Sequence, residues 1–263
     1  YTKEFDRLEL SNSFDLRIEQ EEIEKAISSC PNEILAALKH AKVRIETYHK
    51  KQLPQDYDYV DEEGVQLGSR WTSMSSVGVY VPGGRASYPS SVLMNVVPAR
   101  VAGVERIAMV VPAPDGQLNY SVLAAASISG VDEIYRMGGA QAIGALAYGT
   151  ETIRPVDYIV GPGAAYVALA KRKVFGLVGI DMIAGPSEIL VVADSSNNPS
   201  WIAADLLSQA EHDENAQSIL ITNNKDFATK VLNSIKKINK DLPKKKIIEK
   251  SLKNNGIIAL VDN

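Results

Sequence analysis

Few residues in this chain have the type and spacing to do chemistry. The three histidines are His40, His49 and His212. His40 and His49 lie nine residues apart in one helical pattern, half a turn out of phase, so they cannot share a metal ion. His212 ends a stretch in which Asp205, Gln209 and His212 fall at i, i+4 and i+7, on one helix face. Imidazole is the commonest protein metal ligand, and a nearby carboxylate can orient it. A histidine at a helix C-terminus also interacts favourably with the helix dipole without any metal. Spacing leaves both readings open. A glutamine ligand would not be chosen on first principles, because zinc usually takes thiolate, imidazole or carboxylate.

Glycine-rich loops form the second group: Pro82-Gly83-Gly84, Gly138-Gly139, Gly161-Pro162-Gly163 and Gly185-Pro186-Ser187. Glycine lets a backbone approach a ligand closely, and a helix start offers free N–H groups to phosphate. Such glycines also serve merely to turn the chain. The dinucleotide fingerprint G-x-G-x-x-G is absent. Residues 161–166 come nearest and carry Tyr166 where the third glycine belongs, so a standard Rossmann site is not supported. No Ser-His-Asp order, phosphate-binding P-loop or paired-cysteine zinc spacing occurs. Cys30 is the single cysteine; it excludes an intrachain disulfide and fits a reducing compartment.

The elements that must position these groups repeat one unit. An apolar run ends in Gly or Pro, and a helix of small residues follows. The runs cover residues 77–84, 107–114, 133–139 and 158–163, and the helices 90–102, 118–129, 140–148 and 164–173. Pro98 is expected to kink the first of these helices. Strands alternating with such helices mean βαβ units and a parallel sheet, an α/β fold. A different style follows: a strand at 189–193, a helix at 199–211, a strand at 218–222, helices at 226–239 and 247–252, and a strand at 257–261. The first fifty residues read as helical and residues 51–68 as a polar connection, with a strand approaching near Trp71. The expected division is an inserted α/β domain at residues 79–187 and a discontinuous one made of residues 1–78 and 188–263.

Composition narrows the function classes. A net charge of −4 argues against a general nucleic-acid binder, and the lysine run at residues 236–246 reads as a solvated helix face and its exit. No stretch approaches the roughly 20 apolar residues of a membrane span, and no signal segment opens the chain, so a cytoplasmic protein is expected. The chain begins at Tyr1 rather than Met and ends within an apolar run, which reads as a fragment.

Five runs occur in order: VGVYVPGG at 77–84, YPSSVLMN at 88–95, GGAQAIGALA at 138–147, IDMIAGPSEI at 180–189 and DLLSQAEH at 205–212. With them the chain resembles histidinol dehydrogenase over essentially residues 1–263. The resemblance implies a pair of incomplete Rossmann-like domains, aldehyde-dehydrogenase-like, in an intertwined homodimer when full length. It implies NAD-dependent oxidation of L-histidinol to L-histidine through L-histidinal, the last steps of histidine biosynthesis, with zinc holding the substrate. Matched by motif, Tyr80 and Gln141 would contact NAD. Ser187, Gln209 and His212 would contact histidinol, and Gln209 and His212 would also bind zinc. Ala164 stands where the family usually has an asparagine that contacts NAD. The family's acid/base Glu-His pair is expected beyond Asn263, so no catalytic residue is assigned within this chain. The alternative is an inactive truncated remnant acting as a scaffold or ligand-binding module. A third reading, an aldehyde dehydrogenase relative, is disfavoured because Cys30 lies far from every glycine-rich loop.

Overall fold

The computed structural model describes residues 1–11, 13–83, 88–183 and 185–262. Gly84 of the first loop and Ala184 before the Gly185-Pro186-Ser187 turn lie outside the described residues. The chain forms two compact units, residues 1–184 and 185–263.

The first unit is built on five parallel strands, β3 (Ser76–Tyr80), β4 (Arg106–Val111), β5 (Glu133–Arg136), β6 (Tyr158–Val160) and β7 (Gly179–Ile180), in the order β5-β4-β3-β6-β7. Side chains alternate across a strand, and the sequence uses both faces. Val77, Val79, Val81, Ile107, Met109 and Val111 point one way, into a core shared with α4 (Pro89–Val101) and α5 (Tyr120–Ser129). Tyr80, Ala108 and Val110 point the other way, toward α6 (Gly139–Tyr148) and α7 (Ala165–Val174). A sheet buried on both faces explains why these strands read as nearly continuous apolar runs. Pro98 sits inside α4, which continues to Val101.

The N-terminal helices do not group as the sequence suggested. Ile23, Ala26 and Ile27 of α2 (Gln20–Ser29) and Ile34, Leu35, Leu38, Ala41 and Ile45 of α3 (Asn32–Lys50) pack into the core of α4 and α5. Just before α2, Ile18 donates its backbone N–H to the Ile134 carbonyl at 2.9 Å, and Arg136 pairs with Glu22. Residues 1–78 therefore belong with residues 79–184 in one unit. An apolar helix stripe demands a partner without naming it. Residues 51–68, taken as a plain connection, contain an antiparallel hairpin of β1 (Tyr57–Val60) and β2 (Gln66–Ser69).

The second unit has three parallel strands, β8 (Glu188–Val192), β9 (Gln217–Thr222) and β10 (Gly256–Leu260), in the order β10-β9-β8. Their core is completed by Ala203, Leu206 and Leu207 of α8 (Pro199–Ala210), Phe227 and Val231 of α9 (Lys225–Ile238) and Ile248 of α10 (Lys245–Asn255). Among the described residues no helix is long and apolar enough to cross a membrane.

Candidate functional site

Strand order reverses between β3 and β6, whose connections leave on opposite faces. Open α/β sheets bind ligands in the crevice at such a point, outside the carboxyl ends of the strands. β3 ends at Tyr80 there, and β6 runs into Gly161-Pro162-Gly163. The two backbones nearly touch. Gly161 has φ +111°, and a Cβ built on it would lie 2.1 Å from the Tyr80 carbonyl oxygen, so this position requires glycine. Other loop glycines answer to chain packing. A Cβ at Gly83 or Gly138 would strike Pro112, and one at Gly163 would strike Val167.

Tyr80 is buried, and its phenol oxygen accepts the Gly139 N–H at 3.1 Å, at the first residue of α6. Burial pushes this phenol above its ordinary pKa; the Gly139 N–H pulls it down and the Asp6 carboxylate pushes it up. A neutral phenol keeps an O–H to donate. Gln141, half-buried in the first turn of α6, lays its amide back over Gly139, with Oε1 2.7 Å from where a Gly139 Cβ would stand. Tyr80 and Gln141 therefore meet at one helix start.

Some helix starts are capped by a side chain and others, those of α6 and α7 among them, are not. The side chains of Asn119, Asn198 and Asn224 cap α5, α8 and α9 by accepting backbone N–H groups. At α6 and α7 the capping positions are Gly138 and Ala164, neither of which has a side chain to accept a backbone N–H, and at α6 the Tyr80 phenol takes only the first of these N–H groups. Helix starts without caps leave donors and a partial positive charge for an anion. Residues of this kind at a strand-order reversal fit the pyrophosphate of a dinucleotide.

Three residues around this crevice had no signal in the sequence. Asp6, at the end of α1 (Thr2–Asp6), is buried; burial pushes its carboxyl pKa up, against the Ala113 backbone N–H and Arg7. Lys171 of α7 is buried and ion-paired with Asp181, just past β7. Pairs that meet only through tertiary folding leave no local pattern.

The remaining candidates, Ser187, Gln209 and His212, lie in the second unit. Ser187 directly precedes β8, is exposed, and accepts the Gln217 N–H through its carbonyl at 3.0 Å. A crossover helix runs back along the sheet, so the end of α8 returns to the level where β8 and β9 begin. Gln209 sits in the last turn of α8. His212 follows the helix end, exposed, its N–H on the Gln209 carbonyl at 3.1 Å. These three residues therefore share the amino-terminal end of the second sheet. The Gln209 Nε2 is buried without a hydrogen-bond partner. Turning that amide over would place its oxygen, a possible metal ligand, in the same spot. The His212 imidazole is of the type zinc takes, the Gln209 amide is not a usual zinc donor, and the two together make at most half of a four-donor set. Among the described residues no group of three or more His, Cys, Asp or Glu side chains could hold a metal. Elsewhere, His40 and His49 lie on α3, one exposed and one half-buried. Cys30 is buried, and burial pushes its thiol pKa up, away from thiolate chemistry.

The chain is similar over nearly its whole length to known proteins. The chain is 62% identical over 239 residues to "Histidinol dehydrogenase 1" of Nostoc sp., covering 91% of this chain and 56% of that protein. It is 59% identical to histidinol dehydrogenase of Brucella suis, covering 99% of this chain and 60% of the relative. The crystal structure of histidinol dehydrogenase from Elizabethkingia anophelis superposes with a TM-score of 0.91 at 39% identity, over 99% of this chain and 60% of that one. A salicylaldehyde dehydrogenase from Pseudomonas putida shares the fold alone, with a TM-score of 0.54 at 12% identity over 84% of this chain and 50% of that one. The chain thus spans somewhat over half the length of the curated relatives it matches. Residues 1–263 match the family model for histidinol dehydrogenase from end to end, and the chain belongs to the histidinol dehydrogenase family.

Proposed function

We propose that this chain carries the nucleotide-binding and substrate-holding parts of an enzyme that oxidises L-histidinol to L-histidine through L-histidinal, the last steps of histidine biosynthesis. Alcohol, two NAD⁺ and one water would give the carboxylic acid, two NADH and two protons. The observation that carries the reading is the end-to-end family match of a chain whose candidate residues fall into two clusters. Tyr80, Gln141 and the uncapped starts of α6 and α7 would hold the dinucleotide. Ser187, Gln209 and His212 would hold histidinol, with Gln209 Oε1 and the His212 imidazole also holding zinc. NAD, when bound, accepts a hydride in each oxidation. Zinc, when bound, fixes and polarises the substrate's donor atoms. The chain's own contribution is positioning, which converts encounter into a reaction within one complex. The proton acceptor is not among these candidates. A homodimer in the cytoplasm completes the proposal, supported by family membership and by the single, buried, free cysteine.

A second reading, a ligand-binding module without turnover, is favoured by the half set of metal donors. NADH formed per histidinol consumed by the zinc-loaded protein separates the two. Two NADH per histidinol is expected of the full-length enzyme that contains this chain, and zinc binding should weaken about a hundredfold or more in His212→Ala. NADH binding with no turnover would favour the module, and undiminished zinc affinity in the variant would remove His212 from the site.

A further inference from the structure

The geometry points to Lys171 as a positioning residue that holds the nucleotide loop through the Gly161 peptides, a role that rests on the nucleotide reading above. Lys171 is 3% exposed, whereas the next two residues of α7, Arg172 and Lys173, are exposed. An ammonium is buried at a cost unless it is paired and hydrogen-bonded. Here its Nζ donates to the Gly161 carbonyl at 3.0 Å and pairs with Asp181 Oδ1. The other carboxylate oxygen, Oδ2, accepts the Gly161 N–H at 2.9 Å, and Oδ1 also accepts the Met182 N–H at 2.7 Å. One ion pair thus holds both the N–H and the C=O of a residue at φ +111°.

An apolar side chain of similar size would fill the same space without the desolvation cost, but it would leave the Gly161 carbonyl unheld. What the pair adds is the direction of the Gly161 peptides, and with it the path of the loop at the strand-order reversal. That path matters more here because residues 161–165, Gly-Pro-Gly-Ala-Ala, include no polar side chain. The loop can meet a nucleotide only through backbone groups, whose aim is set upstream. Lys171 is buried and acts through Gly161. Nothing in the sequence marks the pair, since a lysine and an aspartate ten residues apart are common on any surface.

The test is NADH titration by fluorescence, with thermal melting recorded on the same samples, for wild type, Lys171→Met and the double variant Lys171→Met/Asp181→Asn. Lys171→Met should weaken NADH binding about tenfold, because small misplacements of binding groups are costly. It should also melt earlier, since Asp181 loses its partner. The double variant no longer leaves a carboxylate unpaired and should regain most of the melting temperature. Its NADH affinity should stay about tenfold weak, because the Gly161 carbonyl is still unheld. Affinity that recovers together with melting temperature would make the pair structural only and overturn the inference, as would a Lys171→Met protein that binds like wild type. A wild type that binds no NADH would instead refute the nucleotide reading on which the inference rests.

Discussion

At Gly161 one residue shows how little freedom the crevice has. Its φ of +111° is poorly open to residues with a Cβ, and that atom would collide with the Tyr80 carbonyl. Backbone strain of this kind costs about 1–3 kcal/mol before the clash is counted. Gly161→Ala should therefore destabilise the protein by about 2 kcal/mol or more, read from its denaturant midpoint, and should weaken NADH binding in the protein that still folds. An unchanged midpoint would mean that the loop relaxes and that the close approach of β3 and β6 is not required. Tyr80 has a milder constraint. Its phenol oxygen accepts the Gly139 N–H at 3.1 Å, so the ring is held against the start of α6 rather than free to swing.

Among the elements, β4 and β5 are joined at their amino ends by a charge cluster, away from the crevice. Glu133, 9% exposed, takes two bonds from Arg106 at 2.9 and 3.0 Å, one from Arg154 at 2.9 Å and one from the Tyr135 hydroxyl at 2.9 Å. Arg106 above all holds this carboxyl down, from an ordinary 4.5 to about 2, with Arg154 and Tyr135 adding to it against burial. A depressed carboxyl binds its proton more readily in the unfolded chain. Its contribution is therefore present above about pH 4.5 and lost as pH falls through about 2, worth on the order of 3 kcal/mol. Glu133→Gln should flatten the stability profile across that window and lower stability near neutral pH, measured by denaturant unfolding at several pH values. A wild-type profile that is already flat from pH 4.5 down to about 2 would contradict the cluster's role.

The same elements mark how far the sequence could be read. The strands and helices from β3 to α7 were legible because each apolar run is buried on both faces and each ends at Gly or Pro. The hairpin of β1 and β2 was not, since its residues are nearly all exposed and carry no alternation. β7 has two residues, too few to show a period. The partner of α2 and α3 was also beyond reach, because Leu38 and Ile45 declare only that one side is covered. Of the candidate residues, the dinucleotide and zinc assignments came from the family resemblance. Spacing by itself gave one helix face for Gln209 and His212, and nothing for Asp6, Lys171 or Asp181.

For the whole molecule, the proposed nucleotide site lies in the unit of residues 1–184 and the proposed metal donors in the unit of residues 185–263. This division makes the two activities separable by substitution. Equilibrium titration with NADH of wild type, Gln141→Ala and His212→Ala tests it most directly. Gln141→Ala should bind NADH about tenfold more weakly, having lost an amide at the start of α6, while His212→Ala should bind it as wild type does. NADH affinity that survives the loss of Gln141, or falls with the loss of His212, would contradict the account.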